Sequence, residues 1–144
     1  MPGIVVGIDG SRSGQQALEW AVRHAAIEQL PVTVLTVHPV MKSAWSGAPV
    51  ISEVDEPAQE KASQAAREAT DKAVAGLDAG LGKVEVTVRA ISGWPAQALI
   101  EASNDADLVV VGSRGSGGFG GLLMGSVSSQ VVSHAACPVV VVRH

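Results

Sequence analysis

The sequence predicts a doubly wound α/β domain, an open sandwich of a five-stranded parallel sheet and four helices. Three observations lead there. Five aliphatic runs are each the length of a strand: Gly3 to Ile8, Val32 to Val37, Val84 to Ala90, Asp107 to Val111 and Pro138 to Val142. Two of them, Leu108-Val109-Val110-Val111 and Val139-Val140-Val141-Val142, are apolar on both faces, which a strand tolerates only where helices cover both sides of its sheet. Between the runs the apolar spacing becomes helical, so the order is β-α-β-α-β-α-β-α-β, and parallel strands joined this way have right-handed crossovers. A winding that starts in the centre gives the strand order 3-2-1-4-5.

Each element has its own justification. Gly3 to Ile8 is a short apolar run closed by Asp9, a buried strand by its composition. From Ser13 to Gln29, Ala17, Leu18, Ala21, Val22 and Ala25 recur at helical spacing, Glu19 and Arg23 sit four apart on the other face, and Ser11 or Ser13 caps the start. Val32 to Val37 is the second strand. From Pro57 to Leu77 a stripe of Ala62, Ala65, Ala66, Ala69, Ala73 and Leu77 is opposed by Arg67 with Asp71 and Glu68 with Lys72, a long amphipathic helix. Val84 to Ala90 follows as a strand. Pro95 suits the first turn of a third helix through Ala98, Leu99 and Ala102, ending near Asn104. After the fourth strand a last helix runs from about Gly125 to Ala136 with Val127, Val131 and Ala135 inward. Two segments resist the pattern, His38 to Glu56 and Ser113 to Leu123, and long loops in compact domains are usually functional or mobile.

Composition narrows the function classes. The 144 residues, 47% hydrophobic and 3% aromatic, suit one compact domain over residues 1–144 with a core of Val, Leu, Ile and Ala. Such a chain buries roughly 70% of its unfolded surface and needs no disulfide or metal staple. The single Cys137, before Pro138 at an apolar helix end, reads as an inert thiol and excludes an intrachain disulfide framework. A net charge of −4 lacks the basic excess of a nucleic-acid binder. Neither a secretion signal nor a membrane span is expected, so the reading is cytoplasmic. His24, His38, His134 and His144 have no zinc-site spacing, and no Ser sits in a nucleophile elbow. Trp20, Trp45 and Trp94 read as packing or surface residues, since no basic strip accompanies them.

In an open α/β sheet, ligands bind beyond the carboxyl ends of the strands, where the winding reverses. Strand 1 ends at Ile8-Asp9-Gly10-Ser11 and strand 4 at Val111-Gly112, so these two ends flank the crevice. There lies the glycine-rich run Gly112-Ser113-Arg114-Gly115-Ser116-Gly117-Gly118-Phe119-Gly120-Gly121, leading to Gly125-Ser126-Val127-Ser128 at the start of the last helix. Glycines let a backbone approach an anion closely, and exposed N–H groups at a helix start favour phosphate. Ser126 and Ser128 add hydroxyls, and a nucleotide polyphosphate fits such a loop. Each feature also has a plainer reading: Asp9 as a cap or an Asx turn with Ser11, Arg114 as a solvated loop charge, the serines as ordinary loop residues.

Gly112-x2-Gly115-x9-Gly125-Ser126 resembles the ATP-binding motif of universal stress proteins. Gly3-Ile-Val-Val-Gly-Ile-Asp-Gly-Ser11 looks like that family's opening strand and turn, and Cys137-Pro-Val-Val-Val-Val142 like its closing helix-to-strand junction. The resemblance runs over the whole chain, and the intact glycine spacing places it in the nucleotide-binding branch. It implies an ATP site in which Ile8, Asp9, Gly10 and Ser11 line the first turn, Asp9 near the ribose and phosphates helping to hold a divalent ion, Mg2+ or Mn2+. It implies that Val37 offers its backbone to adenine, and that Val111 and Gly112 border base and ribose. Arg114 and Gly115 then begin the phosphate loop, and Gly125, Ser126, Val127 and Ser128 close on the phosphates. The aliphatic last strand, Pro138 to Arg143, is a sheet edge in the expected order. Antiparallel pairing with a second copy covers it, and the family resemblance implies the same homodimer.

The expected function is a nucleotide-responsive stress or regulatory module with little or no catalysis. Phosphoryl transfer lacks its parts: there is no Gly-x4-Gly-Lys-Ser/Thr loop, and Lys42, Lys61, Lys72 and Lys83 all lie away from the glycine segment. A slow ATP hydrolase, a cyclic-nucleotide module and a nucleotide-free interaction module remain open alternatives.

Overall fold

The computed structural model describes residues 1–39, 56–78, 80–114 and 125–143. The elements are β1 (Ile4–Ile8), α1 (Arg12–Glu28), β2 (Val32–Pro39), α2 (Glu56–Ala75), β3 (Val86–Gly93), α3 (Pro95–Ala102), β4 (Leu108–Gly112), α4 (Ser126–His134) and β5 (Val139–Val142). They form one five-stranded sheet in the order β3-β2-β1-β4-β5. Every neighbouring pair is parallel, with Ile4 beside Val32 on one side and beside Leu108 on the other. The predicted fold class and strand order are those observed.

The two-faced apolar runs explain why the sheet is covered on both sides. On one face Ile4, Val6, Val32, Val34 and Val110 pack against Ala17, Leu18, Ala21 and Val22 of α1 and Ala73 of α2. On the other, Val5, Leu35, Val109 and Val111 pack against Leu99 and Ala102 of α3 and Val131 of α4. Alternate residues of β4 thus serve opposite cores, and Val109, Val110 and Val111 are all buried. Full burial of each such side chain contributes about 1.5–3 kcal/mol relative to exposure.

Several boundaries shift from the sequence expectation, among them the start of β3, from Val84 to Val86, and the end of α2, from Leu77 to Ala75, and pairing or capping accounts for others. The β2–β3 register sets Val32 beside Val86 and continues to Pro39 beside Gly93, so both strands run further toward their carboxyl ends than Val37 and Ala90. Helix α3 stops at Ala102, where Ser103 caps it. The Ser103 hydroxyl, buried, also accepts from the Ala136 N–H at 2.9 Å, and α4 gives way at Ala135 to extended backbone (φ −63°, ψ 146°) two residues before Cys137. At the other end of α1, Gln29 takes the left-handed conformation (φ 59°) that closes a helix, its N–H donating to Ala25 O.

The edge strand β5 is half-buried throughout. Val139 and Val141 lean on the α3/α4 core and Val140 and Val142 on the α1/α2 core. It pairs with β4 alone, so among the described residues its outer edge has no strand beside it.

Candidate functional site

The winding reverses between β1 and β4. These strands lie side by side, yet α1 leaves β1 toward one face and α4 leaves β4 toward the other. Two helix starts and two strand ends are thereby brought to one crevice at the carboxyl edge of the sheet.

On the β1 side, Ile8 ends the strand and an exposed turn follows. Gly10 has φ +83°, a conformation that favours glycine. Asp9 Oδ1 accepts the Ser11 N–H at 3.0 Å, the Asx turn that its sequence position allowed. Ser11, one of the two cap candidates, is the N-cap of α1: its Oγ accepts the Gly14 N–H at 3.1 Å.

On the β4 side the chain is pressed against α1. A side chain on Gly112 would place its Cβ 2.4 Å from Ser13 Oγ and 2.7 Å from the Ser13 carbonyl carbon and oxygen. The same Ser13 hydroxyl, buried, accepts the Arg114 N–H at 3.3 Å. Ser113 is buried as well; its N–H donates to Val142 O at 2.9 Å, and its carbonyl accepts the Gly125 N–H at 2.6 Å. Arg114 itself is exposed at the rim.

Helix α4 starts at the same place. Gly125 is its N-cap with φ −71° and ψ 166°, a conformation open to any residue, and among the described residues no side chain caps it. The first intrahelical bond is Ser129 N–H to Gly125 O. The amides of the first turn, on Ser126, Val127 and Ser128, are those an intrahelical partner cannot reach. The Ser126 side chain is exposed and Val127 half-buried, whereas the Ser128 hydroxyl is turned inward, within donating distance of Ser113 O (3.3 Å) and Gly125 O (3.0 Å). What Ser128 can present outward is therefore its backbone amide. Val37 lies one strand away on β2, half-buried beside Ile91. Gly115, Gly117, Gly118, Gly120 and Gly121 lie outside the described residues.

The structure thus joins Asp9, Gly10 and Ser11 to α1, and Gly112, Ser113, Gly125 and Ser128 to one another. Ser13, which ties β4 to α1, and Ser113, which ties β4 to β5 and to the start of α4, are not among the residues the sequence singles out for these roles. The available signal was weak: small residues on a helix start facing a strand-end glycine 99 positions later have no local pattern.

A family model described as the universal stress protein family matches residues 2–143. The chain belongs to the universal stress protein family. A universal stress protein of Mycolicibacterium smegmatis is 38% identical over 144 residues, an overlap that takes in 98% of this chain and 48% of the relative. The chain spans about half the length of the curated relatives it matches. Among solved structures, UspA of Lactobacillus plantarum superimposes with a TM-score of 0.78 at 26% identity, covering 99% of this chain and 97% of that one. A universal stress protein in complex with cAMP superimposes at 0.72 with 28% identity, covering 99% and 96%.

In this universal stress protein the donors at the crevice among the described residues include backbone amides, hydroxyls and the Arg114 guanidinium. That chemistry suits an anion. It suits a protein-held metal poorly, because among the described residues no three His, Cys, Asp or Glu side chains gather as a metal site. Asp9 is a single carboxylate with one oxygen already receiving an N–H. Cys137 is partly buried at the α4–β5 junction, where burial pushes its thiol above the ordinary value, away from nucleophilic use. No helix among the described residues is long and apolar enough to cross a membrane.

Proposed function

We propose that this universal stress protein binds ATP in the β1/β4 crevice and works as a nucleotide-responsive regulatory module in the cytoplasm, with little or no turnover. The observation that carries this reading is the start of α4. Gly125 caps the helix without a side chain, in a backbone conformation that does not itself require glycine, and the first-turn amides of Ser126, Val127 and Ser128 stand at the switch point. An anion there completes amides that no side chain caps among the described residues, and the helix dipole adds about 0.3–1 kcal/mol in its favour.

The remaining residues take their places around that anchor. Val111, Gly112 and Ile8 form the floor, Val37 supplies backbone toward the base, and Gly10 and Ser11 shape the near wall. Arg114 and Gly115 open the phosphate loop. Asp9 shares a divalent ion with the phosphates; Mg2+ is commonly held by one or two carboxylates together with phosphate oxygens, and one carboxylate is what this turn offers. Such an ion screens phosphate charge. A second copy pairs along Pro138 to Arg143, the edge that β5 leaves without a neighbour.

A cyclic nucleotide is the second reading, favoured by the 28% identical neighbour solved with cAMP. Both are tested by calorimetric titration of nucleotide-stripped protein with Mg-ATP, ADP, AMP and cAMP, followed by an overnight product assay. Binding of ATP with negligible product supports the module; preferential binding of cAMP supports the second reading; steady turnover identifies a hydrolase; binding of none of the four refutes a nucleotide function.

A further inference from the structure

We infer that the other sheet edge, β3, is a self-association surface on which a second copy of this chain pairs antiparallel about a two-fold axis through Thr87. This is independent of nucleotide binding and of any pairing at β5.

Backbone parity sets the possible registers. Val32 N–H donates to Glu85 O at 2.9 Å, so Glu85, Thr87 and Arg89 turn their backbone groups inward to β2. Val86, Val88 and Ala90 turn theirs to the open edge, where among the described residues no strand meets them. Side chains alternate in the same way. Val86 and Val88, with Val84, floor a groove of about 420 Å³ beneath α2, whose rim carries Arg67, Asp71 and the 39% exposed Val74. On the opposite face Glu85, Thr87 and Arg89 are exposed, because α3 packs over β2 and β1 instead.

The charge order along this edge is self-complementary. With the axis at Thr87, Thr87 faces its own copy, Val86 of each chain faces Val88 of the other in a hydrogen-bonded pair, and Glu85 of each faces Arg89 of the other. Moving the axis to Val86 sets Arg89 against Lys83, a like-charge clash; moving it to Val88 sets Glu85 against Ile91 and Arg89 against Thr87, with no ion pair. Only the Thr87 register joins opposite charges, threonines and valines at once. Isologous contacts of a C2 dimer require this kind of self-match. A charged residue on an edge strand can also serve to keep other strands away, and the experiment separates the two roles.

The test is sedimentation equilibrium of the full chain over a range of concentrations, for wild type, Arg89→Glu, the charge swap Glu85→Arg/Arg89→Glu, and Val88→Pro. The charge variants are at exposed positions, and circular dichroism checks that all remain folded. Arg89→Glu is expected to weaken one association step by about tenfold or more, since two symmetric attractions become repulsions. The charge swap restores it to within about threefold. Val88→Pro removes an outward N–H without touching the β2 ladder and abolishes the same step. If β5 also pairs, wild type assembles beyond the dimer and Arg89→Glu halts it there; if not, wild type is a dimer and Arg89→Glu a monomer. An association constant unchanged by Arg89→Glu, failure of the swap to restore it, or a wild type monomeric throughout overturns the inference.

Discussion

Gly112 is glycine because Ser13 stands where a side chain would go. Its missing Cβ would lie 2.4 Å from the Ser13 hydroxyl and 2.7 Å from Ser13 backbone atoms, and backbone cannot swing aside as a side-chain tip can. Gly112→Ala is therefore expected to cost about 1–3 kcal/mol of stability through overpacking, read as a shift in urea midpoint; an unchanged midpoint would mean that α1 and β4 are not so tightly joined. The sequence made this glycine look like a ligand-approach residue, and it has a packing reason that no local pattern displays. Asp9 is the converse case. Its Asx turn with Ser11 was legible from the spacing alone, because both partners of that bond are two residues apart.

Among the elements, what was legible followed from short-range periodicity. Runs apolar on both faces marked β4 and β5, and the alanine stripe marked α2. Helix ends were less legible, because distant partners set them. Ser103 shows how: its buried hydroxyl takes the Ala136 N–H, tying the end of α3 to the end of α4 across 33 residues. Ser103→Ala leaves that part-buried donor unmet, and a loss of about 1–3 kcal/mol in chemical denaturation is the expected outcome. A change below about 0.5 kcal/mol, the size of an ordinary surface substitution, would show that the bond does not fix the junction.

At the scale of the whole molecule, the order 3-2-1-4-5 decides both where a ligand can sit and where a second chain can add. It puts the reversal point between β1 and β4 and leaves β3 and β5 as edges. The sequence carried this because strand count and two-faced burial constrain topology strongly. Residues 115–124, central to the expected phosphate loop, lie outside the described residues, so the crevice is defined by its strand ends and helix starts. If β5 pairs with a second copy, Val141→Asp sets a charge on each side of that seam and should weaken the dimer by about tenfold or more in sedimentation, like charges opposite one another being destabilising. An unaltered profile would remove β5 from the interface.

The start of α4, which no side chain caps among the described residues, is where we propose that the nucleotide phosphates bind, and one substitution tests this from two sides. In Gly125→Asp the backbone conformation (φ −71°, ψ 166°) accepts the new side chain, whose carboxylate can cap the helix itself. Measured beside wild type, the variant should keep its thermal stability or gain a few tenths of a kcal/mol from the cap and dipole. Its affinity for Mg-ATP should fall at least about tenfold, because the amides are taken and the phosphates repelled. A folded Gly125→Asp protein that binds ATP as tightly as wild type would mean that the phosphates do not sit at the start of α4.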